Sequence, residues 1–301
     1  MIEARGLTKR YGPATAVDDL TFTVRPGAVT GFLGPNGAGK STTMRMALGL
    51  DRPTAGEVLV DGTRYGELRH PLRTVGALLD ARWVHPNRSA RSHLRWIAAS
   101  NAIPERRVDE VLDAVGLTAV ARKRAGTFSL GMSQRLGIAG ALLGDPEILL
   151  FDEPVNGLDP EGILWIRRFM QQLAAQGRTV FVSSHLLSEM ALTATELVVI
   201  GRGRLITHGP TTEFVDGAAG AVVTVRSPQA TELAGLLRSA GLAVAQADGA
   251  LRVTGAPRER VGEIAAAHGM VLHELATLQG SLEEAFMELT GQSVEYAAVT
   301  S

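Results

Sequence analysis

Val29-Thr30-Gly31-Phe32-Leu33-Gly34-Pro35-Asn36-Gly37-Ala38-Gly39-Lys40-Ser41-Thr42 is the stretch from which the rest of the chain is read. An apolar run enters a glycine-rich turn, and Thr42 onward (Thr43-Met44-Arg45-Met46-Ala47-Leu48) reads as the helix that leaves it. From Gly34 to Ser41 the match to G-x-x-x-x-G-K-[ST], the pattern of a phosphate-binding loop, is complete. Gly34, Gly37 and Gly39 allow positive φ and place no side chain between the backbone N–H groups and an anion, while the helix N-terminus adds its dipole. With Pro35, Asn36, Ala38 and Thr42 they form the expected cradle for a polyphosphate. Lys40 is placed to set an ammonium on the β and γ phosphates. The Ser41 hydroxyl is placed to give one oxygen to a Mg²⁺ that otherwise keeps water and phosphate oxygens. Lys9, Lys40 and Lys123 are the only lysines in the chain, so a lysine at this position does not reflect lysine abundance.

A chain of 301 residues is too long for one typical core and predicts two domains. A formal net charge of −1 provides no basic field, so nothing favours a nucleic-acid partner. The absence of cysteine excludes a disulfide framework and thiolate metal sites and points to an intracellular setting. Met1-Ile2-Glu3-Ala4-Arg5 is not a signal peptide, and no apolar run reaches the length of a bilayer span. Any membrane role is therefore expected to depend on a partner.

Leu20, Phe22 and Val24 alternate with Thr21, Thr23 and Arg25 as in a half-buried strand, and Val58-Leu59-Val60 before Asp61-Gly62 is another strand and turn. From about residue 90 to 143 the periodicity becomes helical: Leu94, Ile97 and Ala98, then Val108, Val111, Leu112 and Val115 before Gly116. Ile148-Leu149-Leu150-Phe151 and Thr179-Val180-Phe181-Val182 are unbroken apolar runs, the pattern of central parallel strands, with a crossover helix predicted over residues 162–175. Residues 197–206 read as a closing hairpin about Gly201-Arg202-Gly203. After Asp216-Gly217-Ala218-Ala219-Gly220 the composition shifts to a small α+β unit: strands at 222–225, within 242–253 and at 271–275, and helices at 230–239 and 258–268. A capped helix over 281–290 and a loose tail over 291–301 complete the expected chain. The expected domains are thus 1–216, with a helical subdomain at about 80–145, and 221–290.

The Ile148 strand runs into Asp152-Glu153-Pro154, which puts two carboxylates at the C-terminal edge of a parallel strand, where ligands of such sheets bind. Downstream of a phosphate loop this is a Walker B pattern. Asp152 would then belong to the Mg²⁺ shell and Glu153 would orient or deprotonate the attacking water.

Phe128-Ser129-Leu130-Gly131-Met132-Ser133-Gln134-Arg135-Leu136 stands shortly before that strand. With it the chain, from about residue 2 to 214, resembles an ABC transporter ATP-binding subunit. The implied fold is the P-loop NTPase ABC cassette, an α/β architecture with a mixed sheet core and a helical subdomain, here followed by the small α+β domain. The nine residues look like the family's signature L-S-G-G-Q followed by x-Q-R. In that family the signature of one subunit caps the ATP held by the other, through the serine and second glycine, here Ser129 and Gly131. Leu130 and Met132 stand where the family pattern has Gly and Gln. The F-S-x-G-M-x-Q-R-L form is similar to bacitracin- and daunorubicin-type export ATPases. Ser183-Ser184-His185 resembles the switch-histidine segment, which makes His185 a catalytic candidate beside Glu153. Val155-Asn156-Gly157-Leu158-Asp159 is similar to the D-loop, and Tyr11 matches the aromatic that stacks on adenine. Asp80 ends a stretch in which the family usually has glutamine, and it is a third candidate for Mg²⁺. Trp83, Val84 and His85 beyond it are candidate contacts to the membrane partner.

The resemblance implies an ATPase using ATP and Mg²⁺, working as a head-to-tail homodimer on separate transmembrane permeases. It would lie on the cytoplasmic face of the cell membrane and power export of a drug, antibiotic, peptide or lipid. Two alternatives stay open: a soluble ABC ATPase, and a nucleotide-gated regulatory module without turnover.

Overall fold

Two antiparallel strands, β1 (Ile2–Tyr11) and β2 (Ala14–Val24), lead into β3 (Val29–Leu33), the glycine-rich loop and helix α1 (Lys40–Ala47). The computed structural model describes residues 1–81, 83–218, 222–247 and 249–278. β4 (Ala55–Val60) returns to pair with β1, making a three-stranded antiparallel sheet in the order β2-β1-β4. A short α2 (Pro71–Thr74) enters β5 (Val75–Leu78), after which come α3 (Ala90–Ser100), α4 (Arg106–Ala114) and α5 (Leu130–Leu142). Then follow β6 (Ile148–Phe151), α6 (Pro160–Ala175), β7 (Thr179–Ser184), α7 (Leu187–Ala191), β8 (Glu196–Gly201), β9 (Arg204–Pro210) and α8 (Thr211–Ala218).

The second sheet has six strands in the order β5-β6-β7-β3-β8-β9, all parallel except the β8–β9 hairpin. β3, β6 and β7 are buried at every residue, which is why their sequences show no polar–apolar alternation. The order also puts the C-terminal ends of β6, β7 and β3 side by side. Phe22 of β2, Phe32 of β3 and Phe181 of β7 stack with ring centroids 5.0 to 5.7 Å apart, joining the two sheets in one core. Each such ring contributes about 1.5–3 kcal/mol by burial alone.

α1 starts at Lys40, two residues before the expected Thr42, because Gly39 takes a left-handed φ of 100° and closes the loop as its N-cap. α6 likewise starts at Pro160 rather than 162, with the Asp159 carboxylate accepting from the Gly162 N–H and proline filling a first-turn site where no N–H is needed. α3 and α5 are capped by Ser89 and Ser129, whose hydroxyls accept from the N–H groups of Ser92 and Met132.

By compactness the chain divides into Met1–Thr211 and Thr212–Leu289. Asp216 and Gly217 lie within α8 rather than in a linker. In the second unit β10 (Val222–Arg226), α9 (Ala230–Ser239), β11 (Ala243–Ala247), β12 (Ala250–Thr254), α10 (Arg258–Ala267) and β13 (Glu274–Leu278) form an antiparallel sheet in the order β11-β12-β10-β13. This β-α-β-β-α-β order is that of a split βαβ unit. Its core is Val223, Val225, Leu251 and Val253 of the sheet against Leu233, Leu237 and Val261 of the helices. The last strand begins at Glu274, not Val271. Val271 is exposed and its N–H donates to Gln229 Oε1, whereas Leu275 pairs with Val225. The helix expected over 281–290, the tail over 291–301, and Asp248 lie outside the described residues. Among the described residues, no helix is long and apolar enough to cross a membrane.

Candidate functional site

The three adjacent strand ends carry the candidate chemistry. β6 ends at Asp152-Glu153, β7 at Ser183-Ser184-His185, and β3 at Gly34 and the loop. Register does the rest: Phe151 pairs with Val182 and Leu33 with Ser184, so the carboxylates and the phosphate loop face each other across the β7 terminus.

The loop's shape is imposed by its surroundings. A Cβ on Gly39 would lie 2.5 Å from Ala16 O, and one on Gly34 would lie 2.6 Å from Ile200 O, so only glycine lets β2 and β8 approach this closely. Over the loop opens a cavity of about 200 Å³ lined by Ala16, residues 35–42 and Glu153. Lys40 is only 6% exposed, and its ammonium donates to Gly34 O at 2.6 Å and Pro35 O at 3.3 Å. It also stands 3.3 Å from Glu153 Oε1. A buried ammonium on carbonyls and one carboxylate is poised for an incoming anion, which offers it stronger acceptors.

Glu153 has a positive φ of 46°, an uncommon backbone state for a non-glycine residue. It is held there by its own N–H, which donates to Ser183 Oγ at 2.9 Å, while its carboxylate bridges Lys40 through Oε1 and His185 Nδ1 through Oε2 at 2.9 Å. Ser183 is fully buried and its hydroxyl in turn donates to Asp152 Oδ1. One serine thus ties the Asp152 carboxylate to the Glu153 backbone. The sequence drew attention to His185 and assigned nothing to Ser183; the signal was its place directly after Val182, the register partner of Phe151. Ser183→Ala strands the Glu153 N–H and frees Asp152. The expected outcome is a loss of about 1–3 kcal/mol in denaturant stability together with a fall in phosphate release, with Ser183→Thr retaining most of both.

The other candidates lie apart from this cluster. Ser129 and Gly131 are not among the residues lining the loop cavity. Ser129 caps α5, and Gly131 packs on Leu158 of the segment after β6. Leu130 covers Gly157 so closely that a Cβ there would lie 2.4 Å from Leu130 Cδ2. Arg135 stacks over the Trp165 ring at 3.9 Å, which ties α5 to α6. Asp80 is exposed just beyond β5, whose Leu78 carbonyl accepts from the Asp152 N–H at 2.8 Å. Among the described residues, no three His, Asp or Glu side chains gather as a metal cage. A divalent cation at the loop would therefore lean on phosphate oxygens and water, with Ser41 and Asp152 as protein oxygens, a donor set that suits Mg²⁺. Tyr11, at the end of β1, is 48% exposed and its phenol donates to Asp51 Oδ2 at 3.0 Å.

A phosphate loop faces a Lys–Glu–His cluster across parallel strand ends, an arrangement suited to a nucleoside triphosphate. Residues 17–156 match the family described as ABC transporter, and residues 221–283 match a domain of unknown function, DUF8746. An uncharacterized ABC transporter ATP-binding protein of Bacillus subtilis (strain 168) is 36% identical over 98% of this chain and 97% of its own length. The bacitracin transport ATP-binding protein BcrA of Bacillus licheniformis is 43% identical over 70% of each chain. The solved structure of an ATP-binding subunit of an ABC transporter is 26% identical, with a TM-score of 0.65 over 72% of this chain and 92% of that one. The chain belongs to the ATP-binding subunits of ABC transporters. It is an ATPase of the kind whose turnover is coupled to transport.

Proposed function

We propose that this chain hydrolyses ATP to power export of an antibiotic, peptide or similar amphipathic molecule through separate transmembrane permeases, at the cytoplasmic face of the membrane. The observation that carries this reading is the Glu153 carboxylate bridging Lys40 and His185 beside the phosphate loop. ATP entering the loop draws the Lys40 ammonium onto its β and γ phosphates, and this loosens the Lys40–Glu153 pair. Glu153 is then free to take the proton of the attacking water, while His185 holds its other oxygen and stands at the γ-phosphate. Mg²⁺ bound through Ser41 and Asp152, with Asp80 nearby on the same sheet edge, would neutralise phosphate charge. The adenine is assigned to the face of Tyr11. Because Ser129 and Gly131 lie outside their own chain's cavity, they are assigned to the ATP of a second copy, which implies a head-to-tail dimer. Export is supported by relatives named for bacitracin transport, for lantibiotic transport in Streptococcus pyogenes (35% identical), and for Nod factor export in Cupriavidus pinatubonensis (33% identical).

Phosphate release by the purified chain with ATP and Mg²⁺, and its co-purification with a multi-span protein from native membranes, test the two halves of the reading. Turnover with no membrane partner would leave a soluble ATPase, and a partner with no turnover would leave a nucleotide-gated module.

A further inference from the structure

Tyr11 is tethered in a way its proposed role does not require. A solvent-exposed tyrosine offering only its ring to a base needs no partner for its hydroxyl. Here, however, the phenol donates to Asp51 Oδ2 at 3.0 Å, and the same oxygen accepts from Arg45 Nε at 2.8 Å. Arg45 belongs to the last turn of α1, the helix that begins at Lys40 in the phosphate loop. The turn after α1 brings Asp51 back onto it, with the Arg45 carbonyl accepting the N–H groups of Leu50 at 2.9 Å and Asp51 at 3.4 Å. Lys9, anchored on Arg52 O at 2.7 Å, lies over the Tyr11 ring at 4.8 Å from its centroid and backs one face of it. The platform is thus referenced to the phosphate loop through a rigid helix, so a nucleotide meets both at a fixed separation.

We propose that Asp51, held by Arg45, is a positioning residue for nucleotide binding, fixing the Tyr11 ring as the surface on which the base stacks. The inference rests on the nucleotide reading above. The protonation states support it. Partial desolvation and the Asp51 carboxylate raise the Tyr11 pKa and keep the phenol a donor, and the Arg45 hydrogen bond holds the Asp51 carboxyl below its ordinary range and keeps it an acceptor. With its hydroxyl committed to Asp51, Tyr11 offers the base only a π face, so loss of the tether weakens ATP and GTP by the same factor.

The experiment measures phosphate release by the full chain, with inorganic tripolyphosphate as a competitive probe that lacks a base. Tyr11→Ala is expected to raise the KM for ATP about tenfold, the scale of one base–aromatic stack. Tyr11→Phe and Asp51→Ala each cut the tether from one side, and each is expected to raise KM about three- to tenfold with kcat and the tripolyphosphate Ki unchanged. Asp51→Asn keeps an oxygen acceptor for the phenol and stays near wild type. In the Tyr11→Phe background Asp51→Ala adds nothing further, because the interaction it removes is already gone. Should Asp51→Ala fail to fold, Tyr11→Phe alone decides, since it leaves the Arg45–Asp51 pair untouched. If Tyr11→Ala raises KM while Tyr11→Phe and Asp51→Ala leave it unchanged, the positioning role is overturned and the base platform stands. If Tyr11→Ala itself leaves KM unchanged, the base is not on Tyr11 and the nucleotide reading there fails first. A tripolyphosphate Ki that rises in parallel with KM places the effect in the loop helix and also overturns the proposal.

Discussion

Glu153→Gln is expected to lower phosphate release by about two to four orders of magnitude, the span usually supplied by a positioned general base. Glutamine keeps the length and one oxygen of the carboxylate, so the strand end and the Ser183 bond to the residue-153 N–H survive, since that bond uses backbone and not side chain. What is lost is basicity, along with the charge facing Lys40 at 3.3 Å and His185 at 2.9 Å. Losing the charge also frees Lys40 for phosphate, so ATP binding is expected to hold or tighten while hydrolysis stops. The resulting long-lived ATP complex favours the two-copy state, which size-exclusion with ATP and Mg²⁺ reads directly. A variant with turnover within about tenfold of the parent would show that another group activates the water. A variant that binds ATP, does not hydrolyse it and stays monomeric would confine the failure to the head-to-tail arrangement.

The legible parts of this molecule are those whose cause is local. The loop strand, Ile148-Leu149-Leu150-Phe151 and Thr179-Val180-Phe181-Val182 are buried at every position, and apolar but for Thr30 and Thr179, because each is covered on both faces. That constraint is written into consecutive residues. The helix after Ser89 shows in the apolar period of Leu94, Ile97 and Ala98, whereas the capping by Ser89 and Ser129 emerges only in the structure. β1 shows no such period: its pairing slips between Ala4 and Leu7, Leu7 and Lys9, and Lys9 and Arg10, and Gly6 has a φ of 56°, so no alternation survives for a period-two reading to find. Asp216-Gly217 looks like a break because glycine disfavours helix, yet α8 continues through both, an instance of context overriding propensity.

The same division runs through the candidate site. Lys40, Asp152, Glu153 and His185 belong to short stretches whose residue types are dictated by the atoms they meet. Ser183 and Asp51 act across strand register and a helix turn, through partners 31 and 40 residues away in the chain. Neither carries a local pattern, because a serine at a strand end and an aspartate after a helix are ordinary residues until the fold supplies the other half of the bond. The positive φ of Glu153 is similarly invisible in the sequence. It follows from the chain having to turn sharply after β6 while the Glu153 N–H is drawn to Ser183.

Lys40→Ala is expected to reduce ATP turnover to background and to weaken ATP binding by about a hundredfold or more, the value of roughly 3 kcal/mol for a charged hydrogen bond to an anion. Lys40 is the one lysine lining the loop cavity, and its side chain is 6% exposed, so water does not replace it cheaply. The substitution takes the Lys40 ammonium away from the Gly34 carbonyl, leaves the Pro35 carbonyl to the Ala38 N–H, and removes the cation facing Glu153. It also relieves the desolvation of a buried charge. These terms oppose each other, so the melting temperature is expected to move little while nucleotide binding collapses. Lys40→Arg discriminates charge from geometry: a planar guanidinium cannot occupy the point-like position 2.6 Å from the Gly34 carbonyl, so restored charge is not expected to restore turnover. Calorimetric titration with ATP and Mg²⁺ against thermal melts of the two variants makes the measurement. Near-normal turnover in either would contradict the assignment of the γ-phosphate to Lys40, and a large drop in melting temperature without loss of ATP affinity would make Lys40 a structural residue of the loop.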